Sequence, residues 1–239
     1  MNGAINTLLM VLALAQPASA FAAELKNEGE AGVVITNGNS HTQSYSLKDK
    51  TTWTVARDSY VFTGSWLSAT NAGVQSAEAW LLALRYERAI SESFSLFLQQ
   101  SAEGDQFAGI LQRFNTDVGA KYYFYKTEKD FTWLAEGGYR FTKEHSTKGT
   151  NENYHKARVY TEAEKYFNES VSSKLWVEFI PNFTLTRAWL LNSELSLNAA
   201  MNAIFALKSG IMLRYNNLPP VATAQKSDIT FTTALTAKF

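Results

Sequence analysis

The string KEHSTKGTNEN (residues 143–153) sets His145 beside Ser146, and a serine–histidine pair is the smallest unit of nucleophilic hydrolysis. The string and its flank also hold Glu144, Glu152 and His155, residue types that can activate water between carboxylates. Neither set carries through. Adjacent residues of a strand point to opposite faces, residues 143–153 read as a polar loop, and no carboxylate or amide can be assigned to orient His145. Lys143, Lys148 and Lys156 read as solvated charges of the same region. Cysteine is absent, which excludes disulfides, thiolate nucleophiles and zinc–cysteine sites. The histidines, His41, His145 and His155, are too scattered for a metal cluster. No catalytic residue, cofactor site or metal ligand is assigned.

A second set of ionisable residues recurs on one parity of alternating segments. It comprises Arg85 and Glu87, Asp117 and Lys121, and Glu136 and Arg140. It continues with Arg158, Glu162 and Glu164, then Lys174 and Glu178, and ends with Glu194 and Arg214. Such residues do no covalent chemistry. If they share a water-filled space they set which ions pass through it, and if they pair across it they close it. The two signs are nearly balanced, which favours pairing and at most a narrow path. Lysine plus arginine equals aspartate plus glutamate at 22 each, so there is no basic field for nucleic acid.

The elements that carry these charges are strands. In FNTDVGAKYYFY (114–125), Phe114, Val118, Ala120, Tyr122 and Phe124 alternate with Asn115, Asp117, Gly119 and Lys121. FTWLAEGGYRF (131–141) and VSSKLWVEF (171–179) repeat the pattern, with Glu136 and Arg140, then Lys174 and Glu178, opposite the apolar residues. About twelve strands follow: 28–36, 40–55, 59–70, 77–89, 93–102, 111–124, 131–142, 153–167, 171–184, 188–199, 203–215 and 228–239. The turn between the tenth and eleventh, NAAMNAIF (198–205), is the least marked. Connections at 55–60, 89–93, 125–130 and 167–170 are short; those at 71–76, 102–109, 143–153 and 216–228 are longer. Alternating short turns and long loops imply an all-β, antiparallel up-and-down transmembrane β-barrel.

Alternation does not say which face is wet; a soluble barrel would put its apolar parity inside. The number of charges on the polar parity decides for a wet or salt-bridged lumen, because a small dry core could not hold them. Aromatic residues near strand ends, including Tyr122, Phe124, Phe131, Trp133 and Phe141, fit interfacial girdles. The chain closes on KSDITFTTALTAKF (226–239), where Ile229, Phe231, Leu235 and Phe239 share a parity facing lipid. Phe231, Leu235 and Phe239 then form the insertion and closure signal, read by barrel-assembly machinery, on a strand that pairs with 28–36. At the other end, INTLLMVLALA (5–15), broken by Pro17, reads as a leader spanning 1–20, cleaved after Ala20 or Ala22. That leaves a barrel domain over 24–239.

The first hairpin, GEAGVVITNGNSHTQSYSL (29–47), places Asn37-Gly38 between alternating segments, a strong type I′ turn signal. Its Thr36-Asn37-Gly38-Asn39-Ser40 string, with Gly29, Gly32 and Thr42 around it, resembles the opening of the YdiY-like family of salt-induced outer-membrane proteins. LRYNNLPP (213–220) and the strand opened by Asp228 are similar to that family too. The resemblance implies a non-enzymatic outer-membrane barrel in contact with lipid and lipopolysaccharide, related to envelope stress. A small passive channel is the alternative. An outer-membrane hydrolase is the remote one. The family supplies no site residues.

Overall fold

A computed structural model describes residues 23–36, 42–127, 130–219 and 225–239. Residues 1–22, which hold the expected leader, and the Asn37-Gly38 turn lie outside them.

Twelve strands follow one another along the chain. They are β1 (Ala23–Thr36), β2 (Thr42–Val55), β3 (Asp58–Asn71), β4 (Val74–Ala89), β5 (Phe94–Asp105) and β6 (Ile110–Lys126). The second half comprises β7 (Phe131–Ser146), β8 (Asn151–Tyr166), β9 (Val171–Ile180), β10 (Leu190–Ala200), β11 (Phe205–Asn216) and β12 (Ser227–Lys238). Each pairs antiparallel with its neighbours in sequence, and β1 pairs with β12, so the sheet closes on itself. The structure is the twelve-stranded up-and-down barrel that the alternation implies.

Burial runs opposite to that of a soluble domain. On β10, Leu195 and Leu197 are 52% and 49% exposed, while Glu194 and Ser196, which alternate with them, are 8% and 3% exposed. Leu96 and Leu98 on β5 likewise point out, and Ser95 and Phe97 point in. An apolar outside around a polar inside suits hydrocarbon, not water. Aromatic rings edge this belt at both ends. Trp53, Tyr60 and Tyr86 lie with centroids 5.4 and 5.5 Å apart near the turn end. Phe179, Trp189 and Tyr215, 5.8 and 5.0 Å apart, stand near the loop end. A polar cluster interrupts the outer face at β1 and β2: Asn27 donates to Asp49 and Thr51, both at 2.7 Å. These bonds limit the cost of a carboxylate there.

Strand boundaries depart from the sequence reading mainly at the loop end. Residues 143–146 continue β7 and 151–153 begin β8, leaving 147–150 as the connection. The connection at 71–76 shrinks to two residues, because β4 starts at Val74. Both faces of these strand tips are polar, so no alternation marks them, yet their backbones still pair. By contrast β9 stops at Ile180, short of residue 184, and 181–189 link it to β10. Strand β1 begins at Ala23 and runs paired with β2 through a charged stretch. The obscure turn at 201–204 is made by Asn202, whose side-chain oxygen accepts from the Ile204 and Phe205 amides at 2.8 Å each. Asn168 does the same for Ser170 and Val171.

The closing seam is short. Pairing of β1 with β12 runs from Glu28–Lys238 to Ala31–Leu235, and the Asn27 and Phe239 backbones add two reciprocal bonds of 2.8 and 2.9 Å. Removing Phe239 takes both of those bonds from the weakest joint. Its deletion is expected to lower the yield of folded barrel more than deletion of 147–150 does. The yield is read as the heat-modifiable band on an unheated detergent gel. Equal yields would show that the seam does not limit assembly.

Candidate functional site

On the inner face, side chains from strands that are not neighbours can meet. Arg85 on β4 forms a bidentate pair with Glu136 on β7, at 2.7 and 3.0 Å, although β5 and β6 lie between. Only the concave side of a closed sheet allows this. The Arg85 guanidinium also bonds Glu87 at 2.9 Å, and lies 3.9 Å from the centroid of the Phe97 ring. Gly119 makes that stack possible: a Cβ there would stand 2.7 Å from Phe97 and 2.6 Å from the Gly137 carbonyl oxygen.

From this centre an ion-pair belt of alternating sign extends along the β4–β9 wall. Lys121 pairs with the other oxygen of Glu87. Glu136 also receives Arg158 at 2.6 Å, and Arg158 reaches Glu178 on β9 at 2.6 Å. Arg140 lies 4.0 Å from Glu178 and holds Asp117 bidentately at 2.6 and 2.8 Å. Asp117 is 1% exposed, and the Arg140 guanidinium on both of its oxygens, with the Gln99 amide at 3.5 Å, offsets the cost of burying this carboxylate. Nearer the turn end, Lys174 stands 3.5 Å from both Glu162 and Glu164, and Tyr160 donates to Glu162. Glu194 meets Lys208 at 2.8 Å on the opposite wall. Arg214 alone of the sequence-predicted charges has no ion pair among the described residues; it is exposed near the loop end of β11.

Several lumen charges escaped the sequence reading. Glu30 joins Lys48 and Lys208, each at 3.0 Å, and so links β2, β1 and β11. Arg113 binds Glu144 at 2.7 Å and Glu103 at 3.2 Å. Glu144 is thus an inner-wall residue, not a loop charge, and Lys156, expected on the surface, is 5% exposed. A signal existed: Arg140, Thr142 and Glu144 share one parity, as do Lys156 and Arg158, once the strands are run on past residue 142 and back before 153.

The hydrolytic candidates do not assemble. His145 and Ser146 end β7 rather than occupying a loop, and the Ser146 hydroxyl is engaged with Thr150 at 2.7 Å and with loop amides. His155 lies against Tyr139 and Phe141. Among the described residues no group of three or more His, Asp or Glu side chains is placed to hold a metal ion.

Below the belt, toward the turn end, the lumen widens into a cavity of about 790 Å³. It runs from Arg57 and Ser91 at the rim to Gln99, Thr63 and the Arg85–Glu136 pair at mid-barrel. The arrangement can bind or pass ions.

Residues 29–239 match a family described as "Protein of unknown function, DUF481". No curated protein matches the chain in sequence. Among solved structures, the COG4313 outer membrane channel from Pseudomonas putida F1 superposes with a TM-score of 0.55 at 10% identity, over 93% of this chain and 97% of that one. The NanC porin gives 0.53 at 11% identity, over 90% and 99%. Identities this low show a shared fold.

Replacing Glu136 by alanine leaves Arg85 and Arg158 without their common carboxylate. Breaking one partner out of a buried pair costs about 3–5 kcal/mol. The Lys165–Asp130 pair is exposed at the turn end, and losing it through Lys165→Ala costs about 0–1 kcal/mol. Urea unfolding of the lipid-reconstituted barrel is expected to separate the two variants by that margin; similar midpoints would refute a structural belt.

Proposed function

The chain belongs to the DUF481 family, and on that premise we propose that it is a non-enzymatic outer-membrane barrel acting as a narrow, passive channel for ions or small solutes. In this reading residues 1–20 are the export leader and the turn end faces the periplasm. The apolar belt contacts lipid and lipopolysaccharide, and the β12 strand engages the assembly machinery. Any tie to salt or envelope stress rests on the family resemblance.

The observation that carries the reading is the lumen itself. A cavity of about 790 Å³ ends against an ion-pair belt whose members are 6–15% exposed at the Arg85, Glu136, Arg158 and Glu178 side chains, so small solvent reaches them. Twelve strands enclose a space between that of side-chain-filled eight-stranded barrels and open sixteen-stranded porins. The belt then works as a constriction: fixed charges of both signs, close together, let small ions exchange past them and hold back larger solutes. A second reading, an envelope component with a shut lumen, is favoured by one fact. Every predicted lumen charge except Arg214 already has a partner on the wall.

Planar-bilayer recording separates the two. Wild-type barrel is expected to give discrete steps well below those of open porins, and Arg85→Ala combined with Glu136→Ala to enlarge them severalfold. Silence from wild type, with steps only in the double variant, would identify a shut lumen.

A further inference from the structure

The cavity at the turn end is electrically unbalanced, and a break in strand geometry contributes to the imbalance. Arg85, Lys121 and Arg158 in its wall are matched by Glu87 and Glu136, and Glu162 by Lys174. Lys26 lies 3.0 Å from Glu24, and Glu28, which faces Lys50 across the β1–β2 ladder, is 3.5 Å from Lys238. Three lining cations remain without an ion pair among the described residues: Lys50, Arg57 and Lys126. Among the described residues that line the cavity, Glu92 is the one carboxylate without an ion pair.

Lys126 is the informative one. Strict alternation from Lys121 and Tyr123, both lining the cavity, would send residue 126 outward with Tyr122 and Phe124. Instead the β6–β7 register slips between Tyr123 and Tyr125, so Tyr125 pairs with Trp133 and Lys126 with Thr132. This bulge puts Phe124 and Tyr125 together on the outer face, with centroids 4.5 and 6.2 Å from Trp133, and turns Lys126 into the lumen. Its ammonium lies 5.1 Å from the Tyr123 ring, as does that of Lys121 on the same ring. Keeping lysine out of lipid does not require the bulge, because a lysine at the membrane interface can extend its ammonium into water. Hydroxyl donors complete the wall: Thr52, Thr54, Ser59, Ser91 and Ser95.

We infer that this half of the lumen is a binding vestibule for small multivalent oxyanions, solutes with two or more carboxylate or phosphate groups. The inference rests on the lumen being open to solutes, as the channel reading requires. Unpaired cations over a volume that holds a ligand of moderate size attract a multivalent anion strongly and a monovalent one weakly. Hydroxyls and the Tyr123 face suit a ligand that carries hydroxyl or carbon surface between its charges.

The test is binding to the folded, detergent-solubilised barrel, with inorganic pyrophosphate and citrate as separate probes and sodium nitrate at equal ionic strength as control. Isothermal titration is expected to show saturable binding of at least one probe; which one binds distinguishes phosphate from carboxylate recognition. Lys50→Gln combined with Lys126→Gln is expected to raise Kd at least tenfold. Lys143→Gln, at the loop end, leaves it unchanged, and the heat-modifiable gel shift confirms that each variant folds. Binding no better than nitrate, or a double variant that binds like wild type, overturns the vestibule. Reversal potentials across a salt gradient keep the two readings apart. A silent barrel that binds oxyanions sinks the channel and keeps the site. A conducting barrel with no anion preference and no binding does the reverse.

Discussion

Backbone hydrogen bonding in a medium without water is the constraint on which this structure depends. An apolar outer face such as Leu195 and Leu197 present is stable only against hydrocarbon, where an unpaired amide or carbonyl costs several kcal/mol. Each strand must then pair on both edges, and the only such sheet is a closed one. Closure fixes the rest. With period-two side chains, whatever does not face lipid faces the axis, and a chain rich in lysine, arginine and glutamate must carry those groups inside.

Inside, the charges cannot remain single. Twelve strands leave a bore that long side chains can partly bridge, so Arg85 reaches Glu136 over two intervening strands. The result is a belt in which each carboxylate serves one or two cations and each guanidinium two acids. Such a belt adds little net stability over an apolar filling, since desolvation absorbs most of the attraction. Its clearer effect is on register. A one-residue slip of β4 or β7 would swing Arg85 or Glu136 into lipid, a far larger penalty than the loss of any hairpin contact. The ion pairs therefore select one pairing of the strands among several that hydrophobicity alone would accept.

This explains which features could be read from the sequence. The alternation of leucine, valine and aromatic residues against arginine and glutamate is strongest within the apolar belt, and there the strand count and the inward parity were both legible. Past the belt the outer face turns polar, so Lys143, Glu144 and Asn153 look like loop although they pair in β7 and β8. Glu144 and Lys156 were misplaced for that reason. The bulge at residues 123–125 was invisible for another. One extra aromatic in YYFYK reads as a richer girdle, and nothing local says that parity has flipped by Lys126. Asp49 on the outer face escaped because Asn27, which donates to it, becomes its neighbour only when β1 and β2 pair.

The same constraint makes the seam the point of greatest tension. Every other joint is sealed over most of its length, yet β1 and β12 pair only near the turn end, and Ile229 and Phe231 beyond the paired stretch are 64% and 73% exposed. Inside the barrel, beside the last pairs of that ladder, Lys208 on β11 reaches over β12 to Glu30 on β1, which also holds Lys48 on β2. Two hairpins that meet at the seam are thus joined by charge next to the end of the backbone ladder. Such a link suits this position better than further apolar contact would. Lipid competes for any apolar surface at the seam and cannot compete for a carboxylate between two ammonium groups. The lumen charges are therefore more than a lining left over from closure, since at this joint they help to complete it.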